Sequence, residues 1–219
     1  MLLYYITDRS QFPGDENSRR HALLNKIAEA AACGVDFIQL REKDLPAREL
    51  ESLARTAVRI IQENSRPGNR RPRTRLLINS RADVAIACGA DGVHLRSDDI
   101  SPRDVRSVWT AASGDSSPII AVSCHTADEV ACAASEAADF AVFAPVFEKK
   151  DTPDTPAAGL TALREACQQK IAVLALGGVT LENAQSCTET GAAGVAGIRL
   201  FQDQDIRAVV GTLQSQTRM

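Results

Sequence analysis

The chain has 219 residues, 44% of them hydrophobic, with 25 lysines and arginines against 28 aspartates and glutamates and a sequence isoelectric point near 5.7. That length allows one full core as a single domain over residues 1–219. The slightly acidic balance gives no global attraction for nucleic acid or an anionic membrane, which leaves small molecules as the expected partners. The opening MLLYYITDRS has too short an apolar run and too few basic flanks for a signal peptide, and no later stretch reaches a membrane span, so a cytoplasmic protein is expected. Six cysteines (Cys33, Cys88, Cys124, Cys132, Cys167 and Cys187) are scattered with no C-x-x-C pair, and read as reduced, small and mostly buried.

Along the chain, short apolar runs alternate with longer segments of helical period. A strand over 2–6 leads to a helix over 21–32, a strand over 37–40 to a helix over 47–63, a strand over 76–79 to a helix over 81–88, and a strand over 92–95 to a helix over 102–112. The second half repeats this with strands over 119–123, 140–147, 171–176 and 194–200 and helices over 127–138, 160–169, 181–190 and 206–213. Ser101 before Pro102, Thr126 with Glu129 three residues on, and Thr180 ahead of Leu181 are helix starts; Gly34, Gly89 and Gly191 are stops. Eight such units without a linker, and without G-x-G-x-x-G after the first strand, favour a closed (βα)8 TIM barrel over a doubly wound sheet. The segment RPGNRRPRTR at 66–75 is a helix-to-strand loop, expected on the N-terminal face as a solvated loop.

In such a barrel the chemistry lies at the C-terminal strand ends, where polar residues collect. Thr7, Asp8 and Arg9 follow the first strand; Gln39, Arg41, Glu42 and Lys43 surround the end of the second; Asn79 and Ser80 end the third. Arg41 and Lys43, two apart, point the same way if the strand continues, with Gln39 behind them, and suit a phosphate clamp; an ion pair with Glu42 is the structural alternative. Asp98 and Asp99 are hard oxygen ligands that suit Mg²⁺, or else partners for Arg96 or the following helix. Ser123 and His125 follow the fifth strand, and the imidazole can move protons, whereas His94 between Val93 and Leu95 reads equally as a hydrogen-bonded interior residue. Lys149 and Lys150 follow the sixth strand, and Gly177, Gly178, Ile198 and Arg199 fall where barrels often bind phosphate.

Read in order, Ile6-Thr7-Asp8, Ile38-Gln39-Leu40-Arg41-Glu42-Lys43, Ile78-Asn79, Asp91-Gly92-Val93-His94-Leu95, Ser123-Cys124-His125-Thr126, Pro145-Val146-Phe147, Ala175-Leu176-Gly177-Gly178-Val179 and Gly194-Val195-Ala196 resemble the thiamine phosphate synthase and TenI superfamily over nearly the whole chain. The resemblance implies a barrel that joins a phosphorylated pyrimidine, hydroxymethylpyrimidine diphosphate, to thiazole phosphate and releases diphosphate. It implies that Gln39, Arg41, Lys43 and Asn79 hold the diphosphate, that Asp99, helped by Asp98, binds Mg²⁺, and that Ser123 faces the pyrimidine. The backbone at Gly177, Gly178 and Ile198 is then the thiazole phosphate site, with Lys43, Ser123 and His125 nearest the chemistry.

Three departures stand out. Synthases usually carry Asp after the third-strand Asn, where this chain has Ser80; their Thr-x-Thr-Lys phosphate segment is here Lys149, Lys150, Asp151, Thr152; and their eighth-strand Ser is Arg199, which either adds a phosphate contact or obstructs the thiazole end. These changes resemble the TenI branch, which isomerises a thiazole phosphate and uses a His at the position of His125. A non-catalytic binder of thiamine phosphate or a precursor, an unrelated phosphosugar isomerase and a homo-oligomeric barrel are also open at this point.

Overall fold

The computed structural model describes residues 1–65, 73–114, 117–148 and 156–216. Eight parallel strands close a barrel in chain order: β1 (Leu2–Ile6), β2 (Phe37–Leu40), β3 (Arg75–Asn79), β4 (Gly92–Leu95), β5 (Ile119–Cys124), β6 (Phe140–Phe143), β7 (Ala172–Ala175) and β8 (Gly194–Gly197). Around it run α1 (Glu16–Cys33), α2 (Ala47–Asn64), α3 (Ala82–Cys88), α4 (Pro102–Ser113), α5 (Ala127–Ser135), α6 (Gly159–Cys167), α7 (Ala184–Glu189), the single turn α8 (Arg199–Gln202) and α9 (Ile206–Gln216). The expected TIM barrel is therefore the fold. Among the described residues no helix is long and apolar enough to cross a membrane.

Each strand is apolar on both faces because helices cover it outside and side chains fill it inside. Leu3, Tyr5, Ile38, Leu40, Ile78, Val93 and Val195 pack outward against helix residues such as Leu23, Ile27, Leu53 and Leu213. The alternate residues Tyr4, Ile6, Leu77, Ala121, Phe140, Val142, Leu174 and Ala196 form a separate cluster within the barrel. The register stacks these inward residues in layers of four from alternate strands. Phe37, Gly92, Phe140 and Gly194 make a lower layer, in which the two Phe rings meet at 4.8 Å. Gly92 and Gly194 have no room for a side chain: a Cβ would lie 1.9 Å from Ile119 O and 2.0 Å from Leu2 O. Above come Tyr4, Leu77, Ala121 and Leu174, then Gln39, His94, Val142 and Ala196, and at the mouth Ile6, Asn79, Ser123 and Leu176.

A repeated device closes the opposite end. Asp36, Asp91 and Asp139 stand immediately before β2, β4 and β6, and their carboxylates accept from the backbone N–H of Leu3, Leu76 and Ile120 at 2.8, 2.8 and 2.7 Å. Arg73 and Arg75 both pair with Asp91, so the described end of the Arg-rich loop belongs to this structural face, while residues 66–72 lie outside the described residues.

The boundaries differ from the sequence reading where apolar runs outlast their hydrogen-bond ladder. The strand expected to reach Phe147 ends at Phe143, because Pro145 has no N–H to give a ladder. The strand expected to reach Leu200 ends at Gly197, so Arg199 opens α8 and is no strand residue. Arg41 and Lys43 likewise lie in the loop after β2, which stops at Leu40. Thr180 does not cap a helix: its N–H donates to Asn183 Oδ1 at 2.8 Å and α7 begins only at Ala184. Ser101 and Thr126 do cap α4 and α5, and Gly34 and Gly89 end α1 and α3 in the left-handed region. All six cysteines are free thiols, but only Cys88, Cys124 and Cys187 are buried; Cys132 is exposed.

Candidate active site

The two upper layers of the barrel carry polar side chains where the lower ones are apolar, and these meet in two chains of hydrogen bonds. On one side Gln39 Nε2 donates to Asn79 Oδ1 at 2.9 Å, and Ser80 Oγ, beside Asn79, donates to Asp99 Oδ2 at 2.7 Å. Asp99 Oδ2 also accepts from the backbone N–H of Arg96 at 2.8 Å. Asp98 takes no part in this chain: its carboxylate faces away into a fork with the exposed Arg96. Ser80 has φ 56, a left-handed conformation that Asp and Asn adopt more readily than most side chains. On the other side the buried His94 joins Tyr4 OH at Nδ1, 2.9 Å, to Ser123 Oγ at Nε2, 2.8 Å. Burial, with the positive charge of Arg41, pulls the His94 pKa down to about 3 against the opposing pull of Asp99, so this ring is neutral.

The loop after β2 brings cations over these layers. Its anchor is Glu42, which points inward between Arg41 and Lys43 and takes Thr7 Oγ1 at 2.5 Å, the Arg9 backbone N–H at 3.0 Å and Arg9 Nη1 at 3.1 Å. Arg9 is itself buried and also holds Asp44 through two bonds of 2.7 Å and Glu16 at 2.9 Å. Thr7 Oγ1 in turn accepts from the Arg41 backbone N–H at 3.0 Å. The partner of Glu42 is thus Arg9 and neither neighbouring cation. Among the described residues, neither Arg41 nor Lys43 is in an ion pair. The Lys43 pKa lies below the usual lysine range, first because Arg41 is close, then through partial burial and Arg96, with Asp8 opposing.

Across the mouth, the Gly177 carbonyl accepts from Phe147 N–H at 2.9 Å and the Gly178 carbonyl from Asn183 Nδ2 at 3.0 Å. Gly178 requires glycine: its φ is +64, and a Cβ would meet Glu148 O at 2.6 Å. Among the described residues the two glycine N–H groups have no acceptor. Ile198 packs with the interior cluster and its carbonyl starts α8. Arg199 is exposed on that turn, and Lys149 lies outside the described residues. His125 is exposed, and its Nδ1 lies 2.7 Å from Ala144 O. A carbonyl only accepts, so Nδ1 donates and Nε2 is the basic nitrogen of the neutral ring. A groove of about 200 Å³ lined by Leu95, Val122, Cys124 and Cys132 lies outside the strand wall, and Asp99 borders it as well as the mouth.

The sequence reading named Gln39, Arg41, Lys43, Asn79, Asp99 and Ser123, which all gather at this mouth. It missed Tyr4, hidden in an apolar strand, and Gln202, whose Oε1 takes Tyr5 OH at 3.0 Å and whose Nε2 gives to Asp8 O at 2.8 Å, holding the end of β1. Arg9 was visible as a polar residue, but its link to Glu42 spans 33 positions and has no local signal.

Residues 3–201 match the model of a family described as thiamine monophosphate synthase. The chain belongs to that family. A protein of Syntrophomonas wolfei named thiamine-phosphate synthase is 36% identical over 89% of this chain and 85% of its own length. Another so named, from Methanoculleus marisnigri, is 34% identical over 98% of this chain and 94% of its own. Among solved structures, thiamine phosphate pyrophosphorylase from Pyrococcus furiosus superposes with a TM-score of 0.79 at 27% identity, covering 99% of this chain and 95% of that one. The family match therefore spans the strands and loops that carry the polar groups described above, with Gln202 one residue beyond it.

Proposed function

We propose that this chain is a thiamine-phosphate synthase, a transferase that joins hydroxymethylpyrimidine diphosphate to thiazole phosphate and releases diphosphate. The observation that carries the reading is the pair Arg41 and Lys43: two cations beside each other, without carboxylate partners among the described residues, on a loop fastened from beneath by Arg9 and Glu42. Like charges held this close await an anion, and a departing diphosphate gains charge as its bond to the pyrimidine methylene breaks. Gln39 and Asn79, already bonded to one another in the two upper layers of the barrel, complete its cradle. Ser123 faces the pyrimidine, and the N–H groups of Gly177 and Gly178, with the backbone at Ile198, receive the thiazole phosphate. Lys149 and Arg199 are further phosphate contacts on this reading.

Mg²⁺ prefers one or two carboxylates together with phosphate oxygens and water. Asp99 suits that role: Oδ2 is held by Ser80 and Arg96, and Oδ1 has no hydrogen bond among the described residues. No group of three or more His, Cys, Asp and Glu is gathered there among the described residues, which suits an ion shared with the substrate diphosphate. Asp98 would contribute on releasing Arg96. When bound, the ion would neutralise charge on the leaving diphosphate.

A second reading, the TenI-like thiazole tautomerase, draws support from the neutral Ser80 and from the basic Nε2 of His125 at the mouth. Purified protein given both substrates, with Mg²⁺ or with EDTA, separates the two. Metal-dependent thiamine phosphate supports the synthase. Conversion of the unaromatised thiazole phosphate alone, without that product, refutes it in favour of the tautomerase.

A further inference from the structure

We infer that Tyr4 and His94 fix the direction in which the Ser123 hydroxyl donates, so that Ser123 selects a hydrogen-bond acceptor on the substrate. If the aminopyrimidine binds at Ser123, as proposed above, that acceptor is a ring nitrogen, since the one hydrogen Ser123 can give needs a lone pair to receive it.

The argument rests on counting protons along three groups in a row. Tyr4 is fully buried, and its ring is met edge-on by Phe37 at 5.9 Å and Phe140 at 5.6 Å. Burial holds its phenol well above the ordinary range, so it carries an O–H, and among the described residues His94 Nδ1 is its one partner. A neutral imidazole has one N–H and one bare nitrogen. With the proton on Nε2, Tyr4 donates to Nδ1, Nε2–H donates to Ser123 Oγ, and the serine's own hydrogen is free to point at the mouth. With the proton on Nδ1, Tyr4 becomes an acceptor and its O–H is left in the apolar barrel interior without a partner. An unmade buried hydrogen bond shifts such an equilibrium about tenfold to a hundredfold. The first arrangement therefore dominates, and the half-buried Ser123, which has no other partner among the described residues, presents a donor to the substrate. Tyr4 and His94 are on this account positioning residues that never touch the substrate.

The direct test is the tautomer of His94 in ligand-free protein labelled with 15N-histidine, read near neutral pH by long-range 1H–15N correlation and assigned by its loss in His94→Asn. The expected spectrum shows Nε2 protonated and Nδ1 bare. A protonated Nδ1, or an imidazolium, overturns the inference whatever the enzyme's reaction. The second test is Tyr4→Phe, which removes one buried oxygen. It should mix the two tautomers and raise KM for hydroxymethylpyrimidine diphosphate about tenfold, with KM for thiazole phosphate changed less than about twofold. An unchanged pyrimidine KM in a variant whose tautomers do mix overturns the assignment of specificity. Wild-type protein that makes no thiamine phosphate would sink the synthase reading, and the spectrum would still decide the inference.

Discussion

Removing Glu42 should cost the protein more stability than removing any exposed charge, although Glu42 lies within a loop. Its side chain is 1% exposed and that of Arg9 is 5% exposed, so cutting Glu42→Ala leaves part of a buried guanidinium facing nothing. Breaking a buried pair from one side costs about 3–5 kcal/mol. Arg9 keeps Asp44 and Glu16, which favours the lower end, and about 3 kcal/mol in a chain of 219 residues corresponds to a fall in Tm of about 6–12 °C. Glu42→Gln should cost about 2 kcal/mol, because both oxygens face donors and an amide NH2 must confront one of them. The control is Arg81→Ala, whose pair with Asp83 is exposed and worth at most about 1 kcal/mol. Thermal and denaturant unfolding followed by circular dichroism would measure all three. Salt at about 0.5 M should leave the Glu42 effect largely intact, since buried pairs are weakly screened. A Glu42→Ala protein as stable as Arg81→Ala would refute the claim that this pair fastens the cationic loop.

Lys43→Ala should leave unfolding unchanged, since the side chain is exposed, while lowering kcat for thiamine phosphate formation roughly 100- to 1,000-fold; His125→Ala should change it far less, and the reverse order would point to the tautomerase. His94 supplies a pH signature: its folded pKa of about 3 lies below the unfolded value, so the unfolded chain binds the extra proton and stability falls as pH drops through the window from about 6.5 to about 3, by up to about 1.4 kcal/mol per unit. Denaturant unfolding at two pH values within that window should show a steeper loss for wild type than for His94→Asn, and equal slopes would contradict a buried neutral ring. Ser80→Asp sets a second carboxylate beside Asp99, and should weaken the metal-free protein while tightening Mg²⁺ binding, measured by calorimetry in the presence of diphosphate. Gly178→Ala, forced into a left-handed backbone against Glu148 O, should raise KM for thiazole phosphate and leave that for the pyrimidine nearly unchanged in steady-state assays.

The barrel was legible because its strands are brief apolar runs between helical periods: β1, β2 and β4 begin and end where the pattern does. Pattern failed where an apolar run continues past its regular ladder: beyond Pro145, Val146 and Phe147 still donate to Leu176 O and Gly177 O but outside the strand, and Ile198 and Leu200 belong to the start of α8, since hydrophobicity records burial and not strand geometry. Much of the site was legible by contrast. Gln39, His94 and Asn79 are polar residues at inward positions of apolar strands, which calls for partners or a ligand. The choice of partner was not: Glu42 had two adjacent cations available and pairs with Arg9, because the loop turns the side chain toward β1. The split between Asp98 and Asp99 has the same origin, one carboxylate reaching Arg96 and its neighbour reaching Ser80 across strands.

The central claim is that this mouth unites a pyrimidine diphosphate with a thiazole phosphate. The most direct measurement is the formation of thiamine phosphate from hydroxymethylpyrimidine diphosphate and thiazole phosphate by the purified chain, with Mg²⁺ and with EDTA. The account predicts product with one diphosphate released per turnover, abolished by EDTA and by Lys43→Ala. Folded protein that forms no thiamine phosphate with Mg²⁺ present would contradict it.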